Sequence, residues 1–303
     1  MKFIEFLKKR HTYPPVTWPR HYPSPYKDEP PQQVSGDKLR ISFVGHASVL
    51  IQTAGLNILA DPVWSKRVSP VRFAGPKRVN PPGIDIDKLP SIDVILLSHN
   101  HYDHLDVDTI SILHEKFQPL IIAPLGNDTI LKSHNPDFRV KVGDWGDTID
   151  LSSDVKVTLE PMHHWSARRL SDRREALWAA YMVQTPNGNI YHVGDTGFHS
   201  GINYKSAKAK YKNIRLAILP FGAYEPRSFM KYQHQNPDEA VRGHLLCGAE
   251  FTLGHHWGTF RLTNEGIEEQ LAHLSEARNR HGVSEEIFRA LQPGQVWNVP
   301  IRA

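Results

Sequence analysis

The stretch VILLSHNHYDHLD, residues 94–106, decides how this chain is read. Its first four residues, Val94 to Leu97, are a short apolar run of the kind that forms a strand buried on both faces. Four candidate metal ligands follow within six residues: His99, His101, Asp103 and His104. At a strand end His99 and His101 point to the same side, because side chains alternate along a strand. Asp103 and His104 then fall on the turn that follows. That spacing serves two adjacent metal ions better than one. A polar loop of solvated histidines is the plainer explanation, and it loses ground as further ligand types turn up downstream.

Composition narrows the chemistry. The chain has 303 residues, 40% hydrophobic and 22% charged, enough for a large core. Its single cysteine, Cys247, excludes an internal disulfide and a multi-thiolate zinc site, so a metal would be held by nitrogen and oxygen. Cys247 also ends an apolar helical segment, which reads as packing rather than catalysis. The net charge of +4 is too small to imply nucleic acid. No segment approaches the roughly 20 apolar residues of a membrane span. The opening MKFIEFLKKR is no signal peptide, because Glu5 breaks its short apolar core. These features predict a cytoplasmic protein. The first ten residues read as a brief amphipathic turn packed on the body or frayed, with peripheral contact to a membrane surface as the alternative.

Residues 1–38 read as an extended arm, with Pro14, Pro15, Pro19, Pro23, Pro25, Pro30 and Pro31 barring helix and inner strand. The body, 39–303, opens on strands at 39–44, 48–53 and 56–60, with Ala54-Gly55 as a hairpin turn. A proline-bearing loop runs over 64–90 before the strand at 94–97. The spacing predicts a helix over 107–117 and strands at 120–123, 139–142, 148–151, 156–161, 179–184, 189–192 and 216–219. A helix follows at 237–246, a strand at 249–253, a helix at 264–280 capped by Asn264, and a strand at 295–298. Strands and then helices, twice over, imply an α/β fold: a four-layer αββα sandwich of two facing mixed sheets with helices outside.

Three downstream segments carry the missing ligand types, each just after an apolar run: His163-His164, Asp195 in VGDTG, and His255-His256 before Trp257. Alone, each has an ordinary reading as a turn residue, helix cap or aromatic patch. Together they recur in the order that a binuclear site needs.

That order resembles the metallo-β-lactamase superfamily, and more closely its branch of N-acyl-phosphatidylethanolamine-hydrolysing phospholipases D. The strings VGHASVLIQ (44–52), LADPVWSKRVSP (59–70), SHNHYDHLD (98–106), HHWSAR (163–168), VGDTGF (193–198), YEPRSFMKYQHQNPDEAV (224–241) and HHWGTF (255–260) carry the likeness. The resemblance implies the metallo-β-lactamase fold, with 39–303 as the hydrolase domain. It also implies that His99, His101 and His164 hold one divalent ion, that Asp103, His104 and His256 hold the other, and that Asp195 bridges them. Asp103 and Asp195 become the catalytic carboxylates. In each histidine pair the member before tryptophan is taken as the ligand, leaving His163 and His255 as supporting residues. Asp61 and Asp106 match positions that orient ligating histidines, and Tyr102 and His234 match positions near the substrate head group.

Two such cations, zinc first and manganese or iron as alternatives, would lower the pKa of a shared water and stabilise charge developing on a phosphodiester. The expected function is therefore a phospholipase D-type cleavage of N-acylphosphatidylethanolamine or a related phospholipid by a metal-bridging hydroxide. Trp64, Trp165, Phe198, Phe221, Tyr224, Phe229 and Trp257 flank the ligands and are candidates for an acyl-chain groove or for core. The same ligands would serve a lactone or ester hydrolase, since fold does not fix function. A non-catalytic metal-binding or iron redox protein is the alternative of another class. The expected partner is a small phosphodiester or phospholipid and no nucleic acid; a homo-oligomer is left open.

Overall fold

The computed structural model describes residues 16–301. The amphipathic turn expected in the first ten residues lies outside them. Residues 16–38 contain neither helix nor strand and run along the body. Backbone bonds join Tyr22 to Val79 and Asp28 to Gly83. The buried Asp28 carboxylate accepts from Arg40 and Ser42, at 2.5 and 2.6 Å.

Strands β1 (Leu39–Gly45), β2 (Ser48–Thr53), β3 (Leu56–Ala60), β4 (Val94–Leu96), β5 (Leu120–Pro124) and β6 (Val140–Gly143) lie side by side in that order, with β14 (Val296–Asn298) beyond β1. The second sheet runs β7 (Thr148–Asp150), β8 (Lys156–Glu160), β9 (Ala180–Gln184), β10 (Asn189–His192), β11 (Ile214–Pro220), β12 (Phe251–His255) and β13 (Phe288–Ala290). Both sheets are mixed: β3 to β6 and β10 to β13 pair in parallel, and the hairpins pair antiparallel.

Period-two alternation explains the layers. Leu216 and Ile218 of β11 face inward to meet Ile51, Ile58 and Leu96 of the other sheet, while Ala217 and Leu219 face outward. Helices α1 (Val107–Phe117) and α2 (Asn127–His134) cover the outer face of the first sheet through Ile110, Leu113 and Leu131. Helix α3 (Ile202–Lys210) covers the second through Tyr204 and Ala207. The short α4 (Arg227–Met230) leads to α5 (Pro237–Cys247), which packs with α6 (Ile267–His281). This is the expected αββα sandwich.

Several elements depart from the reading of the sequence. Helices α2 and α3 and strand β13 were not expected. Among the residues of α3 only Tyr204 and Ala207 are buried, so its sequence carries almost no apolar stripe. Helix α6 starts at Ile267 rather than at 264: Gly266 is its N-cap, and the Glu269 carboxylate accepts from the Gly266 N–H at 2.7 Å. Most of the aromatics offered for an acyl groove are core. Phe198, Phe221, Tyr224 and Trp257 are buried, and Trp257 stacks between Phe43 and Phe221.

Candidate metal centre

Strand direction gathers the site. β1, β3 and β4 point the same way in one sheet, as do β8, β10, β11 and β12 in the other. Their C-terminal ends lead into His46, Asp61, the 98–104 turn, His164, Asp195 and His256 respectively, with β11 leading into 221–235. Clefts beyond the carboxyl ends of parallel strands are where α/β sheets build sites. His46, Asp61 and His256 take up left-handed backbone, at φ 57°, 41° and 64°. Such conformations persist in non-glycine residues only where surrounding structure enforces them.

Two groups of ligand atoms meet there. In the first, His101 Nδ1 lies 2.9 Å from His99 Nε2 and 3.1 Å from His164 Nε2. In the second, Asp103 Oδ2 lies 2.9 Å from His46 Nε2, 3.3 Å from His256 Nε2 and 3.6 Å from His104 Nε2. Asp195 stands between them. Its Oδ2 is 3.0 Å from His256 Nε2, 3.2 Å from His104 Nε2, 3.8 Å from His164 Nε2 and 4.0 Å from His99 Nε2.

Hydrogen bonds fix the rings from behind. The Asp61 carboxylate accepts from the Ser98 N–H at 2.8 Å and from its hydroxyl at 2.7 Å, and pairs with His104 Nδ1 at 2.8 Å. One carboxylate thereby holds both the start of the ligand loop and one imidazole. His164 Nδ1 donates to the Gln233 carbonyl at 3.0 Å, so the YEPRSFMKYQH segment serves the site through its backbone. Partners of this kind set the tautomer and orientation of metal-binding histidines.

Burial governs the charges. It pushes His99 and His164 well below the ordinary imidazole value, His46 and His101 to about 4, and His234 to about 3. The same burial acts on His104 and His256, but Asp195 and Asp103 outweigh it, holding His104 well above its usual value and raising His256 to about 9. Burial alone would raise Asp103 and Asp195. The imidazoles around them, His104 first for Asp103 and His256 first for Asp195, hold both well below the carboxylate range. Two carboxylates thus pair with protons held on His104 and His256, protons that a bound metal ion would displace.

The donor set fits a metal. Nε2 of His104, Oδ1 of Asp195 and Nδ1 of His234 are buried with no hydrogen-bond partner among the described residues. Native proteins seldom leave buried polar atoms so. Three nitrogens meeting at 2.9 to 3.1 Å match a shared cation, since ligand nitrogens ~2.0 to 2.1 Å from tetrahedral zinc stand ~3.3 Å apart. His99, His101 and His164, and Asp103, His104 and His256, are able to hold metal, with Asp195 reaching both groups.

The other expected residues fall as follows. His163 stacks on His199, with ring centres 4.1 Å apart, and stays out of both groups. His255 is turned to the Val193 carbonyl, at 2.7 Å. His234 sits nearer the metal ligands than a head-group contact requires: its Nδ1 is 3.8 Å from Asp195 Oδ2. Tyr102 lies off the ligand groups, donating to the Arg168 carbonyl at 3.1 Å beneath that residue's guanidinium. Asp106 corrects the expectation that it orients a histidine. It caps α1 through Thr109 and accepts from the Trp64 and Ser65 N–H groups at 3.2 and 2.9 Å. His46 had no expected role, although it stands in the quoted string VGHASVLIQ. Its backbone carbonyl accepts from the His256 N–H at 2.8 Å, which ties the two residues together.

A family model described as a beta-lactamase superfamily domain matches residues 56–257, more than half of the chain. The chain belongs to the metallo-β-lactamase superfamily. Within it, N-acyl-phosphatidylethanolamine-hydrolyzing phospholipase D 1 of Caenorhabditis elegans is 36% identical over 272 residues, covering 86% of this chain and 76% of that protein. The mitochondrial N-acyl-phosphatidylethanolamine-hydrolyzing phospholipase D of Saccharomyces cerevisiae is 34% identical over 230 residues, 73% of this chain; the match spans only 48% of the yeast protein. A metallo hydrolase from the archaeon Ignicoccus hospitalis has the same fold, with a TM-score of 0.65 at 17% identity over 88% of this chain and all of that one. This member of the superfamily is a metal-dependent hydrolase. No helix among its described residues is long and apolar enough to cross a membrane.

Proposed function

We propose that the protein is a binuclear zinc phosphodiesterase that cleaves N-acylphosphatidylethanolamine or a related phospholipid as a phospholipase D does. The observation that carries this reading is the Asp195 carboxylate, whose Oδ2 is 3.0 to 4.0 Å from imidazoles of both ligand groups. The names of the worm and yeast relatives supply the substrate class.

Two divalent cations held here would supply an activated water near neutral pH and neutralise the anionic diester. The chain's own residues do the rest. His99, His101 and His164 would hold one cation and Asp103, His104 and His256 the other, with Asp195 reaching both groups. Asp61 and the Gln233 carbonyl hold His104 and His164 in the tautomer that leaves Nε2 unprotonated toward the metal. His234, neutral and buried beside Asp195, offers Nδ1 to an oxygen of the bound phosphate. The P–O bond to the N-acylethanolamine breaks, water supplies the new oxygen on phosphorus, and phosphatidic acid results.

Metal analysis of the purified protein, joined to a panel of phospholipids and lactones, tests the proposal. Two equivalents of zinc per chain, release of phosphatidic acid, and cleavage of bis(p-nitrophenyl) phosphate blocked competitively by vanadate are expected. Lactone turnover with an untouched phosphodiester would overturn the substrate class; one metal per chain would overturn the binuclear reading.

A further inference from the structure

Two loops outside the ligand groups share an unusual composition. Residues 64–82 contain five basic residues and no acidic one, and residues 165–175 contain four arginines, Asp172 and Glu175. Since the whole chain is only +4, everything outside these loops is net acidic. The two loops also frame common ground. Lys66, Arg67 and Arg72 from one and Arg168 from the other line a cleft of about 490 Å³ with Tyr102, Asp106 and Asp108, the last paired with Arg72 at 2.9 Å. A neighbouring cleft of about 540 Å³ again includes Tyr102 and Arg168 and adds Asn100 and Arg169. Tyr102, which lines both clefts, and Asn100, which lines the second, stand between the ligands His99, His101 and Asp103, so both clefts abut the outer side of the ligand loop. Trp165 makes the link closer still: its ring meets that of His101 at 4.6 Å, and the Arg173 guanidinium lies 4.6 Å above it.

Each loop carries an apolar side chain held out in water. Phe73 is 84% exposed and Leu170 fully exposed, among the most exposed large apolar residues described. Basic residues by themselves would suit any polyanion. Apolar tips set among them suit a bilayer surface, where the tips enter the interface and the cations meet anionic head groups.

We infer that loops 64–82 and 165–175 dock the protein on a membrane containing anionic phospholipid, with the metal centre facing the lipid; the inference rests on the phospholipid reading above. Docking of this kind brings a diester to the site without extracting it through water. A nucleic acid or acidic protein accounts for the charge and leaves Phe73 and Leu170 unexplained.

Co-sedimentation of the full chain with vesicles tests it, using phosphatidylcholine alone and phosphatidylcholine mixed with phosphatidylglycerol. Neither lipid is the proposed substrate, so the readout is independent of turnover. Binding should be about tenfold or more stronger on the mixed vesicles and should weaken as salt rises. The double variants Phe73→Ala/Leu170→Ala and Lys66→Glu/Arg169→Glu should each lose it about tenfold with Tm unchanged. Equal binding to both vesicle types, or undiminished binding by either variant, overturns the inference. Binding that follows charge yet ignores the loss of Phe73 and Leu170 overturns it in favour of an acidic macromolecule. Bis(p-nitrophenyl) phosphate hydrolysis by the same wild-type sample judges the phosphodiesterase reading separately.

Discussion

The Asp195 carboxylate is 1% exposed, has one oxygen among five imidazoles and leaves the other without a partner among the described residues. Asparagine keeps its shape and removes its charge. Asp195→Asn should therefore lower phosphodiester turnover by about 10²- to 10³-fold or more, on the scale of losing a preorganised charge-stabilising group, while far-UV circular dichroism stays unchanged. Near-normal rates would remove Asp195 from the chemistry. His46 makes a different case. Its Nε2 meets Asp103 at 2.9 Å and its ring centre lies 4.2 Å from that of His256, and its loss should act on metal retention. His46→Ala should weaken metal affinity by about 10- to 100-fold, as removal of ligand-orienting partners does. Titration with a chelator of known affinity measures this, and an unaltered affinity would make His46 merely structural.

At the scale of elements, the site depends on how closely strand ends approach. Gly194 precedes Asp195 at the end of β10, and a Cβ there would come within 2.4 Å of the Ser98 Cβ and 2.6 Å of its hydroxyl. Ser98 binds Asp61 and touches His99 Nδ1 at 2.9 Å, so any push on it moves the ligand loop. Gly194→Ala should lower bound metal per chain without unfolding the sheets; full occupancy in the variant would show that the loop absorbs the methyl group. The central strands were legible because β2, β4, β11 and β12 are buried on both faces, whereas β13, with only Phe288 buried, was not. Helices α2 and α3 were not, since short helices with one or two buried residues leave little periodic trace. The cap of α6 was misplaced because a glycine N-cap backed by Glu269 looks less like a start signal than Asn264 does.

For the whole molecule, the buried cluster sets how stability depends on pH in the metal-free protein. His46, His101 and His234 have folded values of about 4, 4 and 3, below the ~6.5 of an unfolded imidazole. The unfolded chain binds their protons more readily, so their contribution is present above pH ~6.5 and is lost as pH falls from there toward 4. His256 runs the other way. Its folded value is about 9, so its contribution is complete below pH ~6.5 and is lost as pH rises through 9. Chelator-treated protein should therefore be most stable near pH ~6.5. Urea midpoints at pH 5, 6.5 and 9 check this, and a flat profile would contradict the charge arrangement described for the site.

The ligand types and their order along the chain were readable because each stands immediately after an apolar run, and strand ends are where side chains can converge. His99, His101, Asp103, His104 and the later His and Asp candidates, together with the two-sheet order, follow from that local pattern, while their assignment as ligands of two ions was what the family resemblance implied. Packing decided the rest. Which histidine of each pair turns inward depends on backbone conformation, as the left-handed φ of His256 makes plain. The partner of His164 is a main-chain carbonyl, which no side-chain pattern announces. His46 joins Asp103 from 57 residues away, and Asp106 serves the loop at Trp64 rather than a histidine. Contacts of that kind exist only once the strands are stacked, because their geometry is fixed by the registry of two sheets and not by spacing along one chain.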